Sequence, residues 1–353
     1  MPLVFGGLPP TLPVSSSTQP KGYSWEFVPT PHEAERKMRL SSQHLILASD
    51  YFKSALTKGF AESVPESGEF AHVVRAENMN LEALRLVMSI VHGQTHQVPR
   101  KISLDLLAKV AVVVDYYKFH KAVDFFFQVW AEQIETPAEW QYGTGFLLRL
   151  LVSCIFQEKE MFQKLTKVYL LHSRGPIHHL DLPPLALIRD PLEKARQDLV
   201  AKTIGQVHAL LQSFYKHDPP CSYNCAAFQF GLLAKGLHTL GLYDPQPQAP
   251  FHGFSFDAFQ AAVEKIHAPR YTGEPGPGPG SALFDGGRHR QECNLTNKIK
   301  PIFQRLRDGI QGLNWDAHFR ETVKRQAKKE EHVSAPIRAS SRTGYPTHTS
   351  LFR

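Results

Sequence analysis

At 353 residues, 42% hydrophobic and 21% charged, the chain is too apolar to be disordered throughout and long enough for about two domains with cores of their own. Four cysteines, Cys154, Cys221, Cys225 and Cys293, are too few to staple a chain of this length, which argues against a disulfide scaffold and for a reducing compartment, cytoplasmic and/or nuclear. The formal net charge of +7 is concentrated in residues 317–353, where eight Lys and Arg face three Glu; the rest is nearly neutral, and nucleic acid is not an expected partner of the folded body.

In chain order, residues 1–22 are rich in Pro, Ser and Gly and read as a disordered N-terminus; they lack the basic start and sustained apolar run of a secretory signal. SWEFV and RKMRL, separated by PTPHEAE, are expected to pair as two short strands. From Ser41 the pattern turns helical: Leu45, Ala48 and Phe52 share a face, and Ser41 or Ser42 is placed to accept a backbone N–H as N-cap. EFAHVVRA alternates as a strand. Leu81, Leu84, Met88 and Val91 then mark a helical face ending at His92 and Gly93, with Gly93 as its cap. Two more helices follow, through Leu104, Leu107, Ala111 and Val114, then through Val123, Phe126, Phe127 and Trp130. These segments compose a first domain over 23–136.

Beyond Pro137, FLLRLLVSCIF is apolar nearly all round and predicts a buried helix; it is far shorter than the ~20 residues a membrane span needs and contains Arg149, so no membrane association is expected. The prolines of LDLPPLALIRDP are expected to break the next pattern. The longest helix should run from about Leu192 to Tyr215, with Val200, Ile204, Val207, Leu211 and Phe214 forming a core seam. A Gly/Pro-rich loop over 272–290 leads to a last helix carrying Ile299, Ile302, Phe303, Leu306 and Ile310, with Pro301 in its first turn. This second, helical domain covers 137–319, and 320–353 reads as a basic disordered tail. The fold class is therefore α+β, mostly α: short strands plus a helical cluster, followed by an all-α extension.

The motifs of phosphate-binding loops, nucleophile elbows, zinc proteases and kinases are missing, so an enzyme is not expected. His178, His179 and Asp181 sit in a proline-rich connection, where loop polarity accounts for them. The strongest chemical constellation is Cys221 and Cys225, one turn apart if helical, with His289 and Cys293 downstream: a set able to close a tetrahedral structural zinc. Buried structural thiols explain the cysteines equally simply and are preferred, so no cofactor is expected. If zinc is present, the chain reads instead as a zinc-stabilised helical regulatory protein of the nucleus whose basic tail touches nucleic acid.

The stretch RLSSQHLILASDYFKSALTKGFAES resembles the first helix of the BTB/POZ domain, carried by His44, Leu45, Ala48, Ser49 and Phe52. The segment from ALRLVMSIVHGQTHQVP to DYYKFHKAVDFFFQVW is similar to the remainder of that domain in fungal proteins, and CSYNC, LGLYDPQPQAPFHGFSF and ECNL are similar to their helical extension. The resemblance spans roughly 24–319. It implies a BTB/POZ-like first domain, a non-enzymatic protein-interaction role, and homo-oligomerisation through that domain. It also implies docking to a cullin scaffold as a ubiquitin-ligase substrate adaptor, through Phe60, Ala61 and Glu62. Under it His44 is a helix-start residue whose ring bonds nearby backbone rather than a catalytic group.

Overall fold

The structure is a computed structural model that describes residues 38–57, 74, 76, 79–134, 142, 144–177, 182–216, 223–266 and 294–319. Among these residues it is built of helices, with no strand. The expected α+β class is thereby corrected. Met38–Leu40, the end of RKMRL, carry no strand, nor do Val74 and Ala76 of EFAHVVRA, while SWEFV lies outside the described residues. Short alternating runs acquire strand structure only when a neighbouring strand takes up their backbone hydrogen bonds, whereas helices satisfy theirs locally and bury an apolar stripe on one another. No described helix is long and apolar enough to cross a membrane.

The chain divides into two compact units; the described residues of 24–165, 179–187 and 313–319 belong to one, and those of 166–178 and 188–312 to the other. The first begins with α1 (Ser42–Ala48), α2 (Asp50–Thr57) and α3 (Leu81–Val91). A single 3₁₀ turn at Thr95–Gln97 leads to α4 (Leu104–Tyr117), followed by α5 (His120–Gln133) and α6 (Thr144–Ile155). The Asn80 side chain caps α3 by accepting the Ala83 N–H at 3.0 Å, and Gly93, at φ 69°, closes it: Gly93 N–H bonds the Ile90 carbonyl and Gln94 N–H the Ser89 carbonyl. Helix α4 starts under Ser103, whose hydroxyl accepts the Leu106 N–H, and is buried on most of its circumference through Leu107, Val110, Ala111, Val113 and Val114. It packs against both α3 and α6, which makes it the central helix of this unit. Trp130 of α5 is fully buried and donates its indole N–H to the Pro99 carbonyl at 2.8 Å. Phe127 stacks on Phe156 with centroids 3.9 Å apart.

α7 (Lys159–His172) and α8 (Pro183–Tyr215) each run through a boundary between the units. α8 departs from the sequence expectation: the helix does not start after the prolines but contains them. Pro183 and Pro184 occupy its first turn, where no intrahelical N–H is needed, and Pro191 lies inside it. An interior proline costs about 3 kcal/mol, which the complete burial of Leu185, Ile188 and Leu192 around it offsets. The seam Val200, Ile204, Val207, Leu211 and Phe214 is buried throughout, as its period requires.

The second unit is completed by α9 (Tyr223–Thr239), α10 (Phe256–Glu264) and α11 (Leu295–Gly309). Ser255 and Asn294 cap the last two through their side chains. Because α11 starts at Leu295, Pro301 falls past its first turn, and the helix is held by the buried face of Leu295, Ile299, Ile302, Phe303 and Leu306. Phe303 meets Phe256 and Phe259 of α10. The cis peptides Asp244–Pro245 and Ala249–Pro250 shape the connection between α9 and α10.

Candidate functional site

The residues with the BTB/POZ-like spacing converge where α1 meets α2. Ser49 is extended between the two helices and 3% exposed. Its hydroxyl oxygen accepts the Phe52 N–H at 3.1 Å, capping α2, while its O–H donates to the Tyr117 carbonyl at the end of α4. Phe52, fully buried, then stacks on Tyr117 and Phe119 with centroids at 5.2 and 5.7 Å. Leu45 is buried beneath α1 and Ala48 is half-buried, a small residue next to the capping serine. Burial, with Tyr116 and Tyr51 adding to it, pushes the Tyr117 hydroxyl well above the usual phenol range.

His44 itself is exposed and makes a ring contact: it stacks on His92 with centroids 5.2 Å apart. The imidazole that binds backbone is His92. Its Nδ1 lies 2.9 Å from the Met88 carbonyl, and its Nε2 accepts the Ser41 N–H at 2.9 Å. A carbonyl only accepts, so this pair of bonds requires the neutral ring with its hydrogen on Nδ1. Ser41 is the N-cap residue of α1 by position, but its side chain makes no capping bond; instead its backbone N–H is held by the end of α3. His92 was legible only as a helix end, because the bond it makes reaches back 51 residues.

A second constellation, in the other unit, was missed altogether. Arg196 of α8 is fully buried and places every one of its N–H groups. Nε and Nη2 grip Glu193 at 2.8 and 2.6 Å; Nη1 donates to the carbonyls of Phe251 and Phe254 at 3.2 and 3.0 Å; Nη2 also reaches the Pro250 carbonyl at 2.7 Å. Gln197 and the Tyr169 hydroxyl donate to the same carboxylate. Burial alone would raise the Glu193 carboxyl, but hydrogen bonds from Arg196 and Gln197, the arginine charge and Tyr169 together hold it below the usual carboxylate range. The same pairing, against the cost of burial, raises Arg196. The clamp fixes the PFHGF loop, where Phe251 takes φ 52° and the Gly253 N–H bonds the Arg174 carbonyl. The available signal was register: Arg196 sits four residues after Leu192 and four before Val200, a charge on an apolar seam that must be paired.

Of the zinc candidates, Cys225 is half-buried near the start of α9, while Cys221, His289 and Cys293 lie outside the described residues, as do His178, His179 and Asp181. Among the described residues no three His, Cys, Asp or Glu cluster as metal ligands would. Cys154 is buried in α6, and burial pushes its thiol far above the ordinary range, which makes it inert packing. The docking candidates Phe60, Ala61 and Glu62 also lie outside the described residues.

A cavity of about 30 Å³ opens among Leu104, Leu107, Phe127, Ala131 and Val152, with Arg149 on its wall. It has room for about one water-sized molecule, far less than a substrate or cofactor occupies. The Arg149 guanidinium donates to the Gly145 carbonyl at 3.3 Å. The chemical character of both constellations is the same: hydroxyl, imidazole and guanidinium groups bound to backbone carbonyls and N–H groups that they hold in place. Comparison with known proteins finds no matching family model, no matching curated protein and no matching solved structure.

Proposed function

We propose that the protein is a non-enzymatic interaction module that associates with itself and recruits partner proteins, a role of the BTB/POZ kind carried by helices. The observation that supports this most directly is how the signature side chains are used. The Ser49 hydroxyl, donor and acceptor at once, is taken up by the Tyr117 carbonyl and the Phe52 N–H, and both ring nitrogens of His92 are engaged by backbone. Groups committed in this way, the one hydroxyl proton of Ser49 given to a carbonyl and both nitrogens of His92 taken by backbone, hold a scaffold together. On this reading Phe60, Ala61 and Glu62 are the docking residues for a cullin scaffold, with Phe60 as the apolar anchor and Glu62 as its charged neighbour.

The test is binding between purified components. The full chain should sediment as more than a monomer at concentrations up to about 200 µM, and a purified cullin N-terminal region should bind it. The Phe60→Ala/Glu62→Ala pair should weaken cullin binding about tenfold or more without lowering thermal stability. A chain that stays monomeric and ignores cullin would remove the proposal.

A further inference from the structure

Helix α5 turns Val123, Phe127 and Trp130 into the core, and its other face is exposed among the described residues. On that face Lys121, Phe125, Gln128 and Glu132, spaced four, three and four residues apart, fall on one stripe about 16 Å long. All four are exposed, Phe125 at 71%. Half-buried Ala122, Phe126 and Val129 flank it on one side, and exposed Asp124 and half-buried Ala131 on the other. An aromatic ring on a helix face broadened by apolar neighbours differs from the singly exposed hydrophobic residue that any surface tolerates.

The stripe has a sign at each end: cationic at Lys121, anionic at Glu132. A second copy laid antiparallel, with its twofold axis midway between Phe125 and Gln128, sets Lys121 against the partner's Glu132 and Glu132 against the partner's Lys121. The two Phe125 rings then lie about 4.5 Å apart along the helix axes, within stacking reach. A parallel copy would set lysine on lysine and glutamate on glutamate. Antiparallel helices also oppose their dipoles favourably. We propose that this face of α5 is the self-association surface and that its occupant is a second copy of the chain, related by a twofold axis. The inference rests on the self-association proposed above and adds where it occurs. One helix face is smaller than the ~800 Å² per partner of a stable interface, so the dimer is weak, with a Kd of ~10 µM or higher, and weakens with added salt.

Sedimentation equilibrium of the full-length chain between about 5 and 200 µM brackets such a Kd. Lys121→Glu and Glu132→Lys should each weaken dimerisation about tenfold, as should Phe125→Ala. Lys121→Glu combined with Glu132→Lys should restore wild-type association, because the exchange recreates both contacts with signs reversed. Carbodiimide treatment should join Lys121 to Glu132, and since the two are about 16 Å apart on one helix, a zero-length bond between them arises only between two copies. All three positions are exposed, and unchanged Tm values verify folding. A wild-type dimer indifferent to all these substitutions overturns the α5 face and leaves self-association standing elsewhere. A wild-type chain that is monomeric at every concentration overturns both.

Discussion

Replacing Ser49 with alanine would leave the Phe52 N–H and the Tyr117 carbonyl without the oxygen that both of them use, at a position only 3% exposed. A lost helix cap costs about 1 kcal/mol, and an orphaned buried carbonyl about as much again, so Ser49→Ala should destabilise the chain by about 2 kcal/mol in urea unfolding. A value inside 0.5 kcal/mol would deny the serine its double role. The two histidines separate in the same way. His44 contributes an exposed ring face to the stack, and His44→Ala should cost about 0.5 kcal/mol or less. His92→Ala removes the acceptor of the Ser41 N–H as well as the stack and should cost about 1–2 kcal/mol. Equal losses, or the reverse order, would mean that α1 is held by something other than His92.

Among the elements, the Glu193–Arg196 clamp couples α8 to the loop that precedes α10. Glu193→Gln leaves a guanidinium buried without its counter-charge, and Arg196→Met leaves three loop carbonyls without donors and the carboxylate without its counter-charge, held by Gln197 and Tyr169 alone; each should cost about 3–5 kcal/mol. The pH dependence has a defined sign. The folded carboxyl is held below the ordinary glutamate value of 4.5, so the unfolded chain binds the proton more readily. The clamp's contribution is complete above that value and is lost as pH falls through the lower folded one. The stability gap between wild type and Glu193→Gln should accordingly narrow below pH 4.5 and stay flat above it. α9 offers a steric counterpart. A Cβ on Gly236 would stand 2.6 Å from the Ile266 side chain, so Gly236→Ala should destabilise by about 1–3 kcal/mol despite alanine's better helix propensity. Ile266→Ala in the same chain should remove most of that penalty, a coupling read from a double-mutant cycle.

For the molecule as a whole, what was legible followed the range of the interactions. The seam from Val200 to Phe214 and the cap at Gly93 are local patterns of 3.6-residue period and turn chemistry, and both are where the sequence places them. The spacing of Ser49 and Phe52 was legible as a signature, but its mechanism needed Tyr117, 68 residues away, and the Arg196 clamp needed carbonyls 54–58 residues away. Pro191 was misread because its local cost is real and only burial from outside the helix outweighs it. The cysteines raise the same issue, since a zinc shell would join Cys221 and Cys225 to His289 and Cys293, far from them in the chain. A closed Cys221, Cys225, Cys293 and His289 shell would bind zinc with about 10–16 kcal/mol, more than the net stability of most domains, so removing the ion would unfold its surroundings. Thiols acting as packing predict the contrary. Purified protein should hold well under one zinc per chain, and overnight chelation should leave the helical circular dichroism and the Tm where they were. Stoichiometric zinc whose removal collapses the helical signal would reverse the assignment and make the second unit a metal-dependent fold.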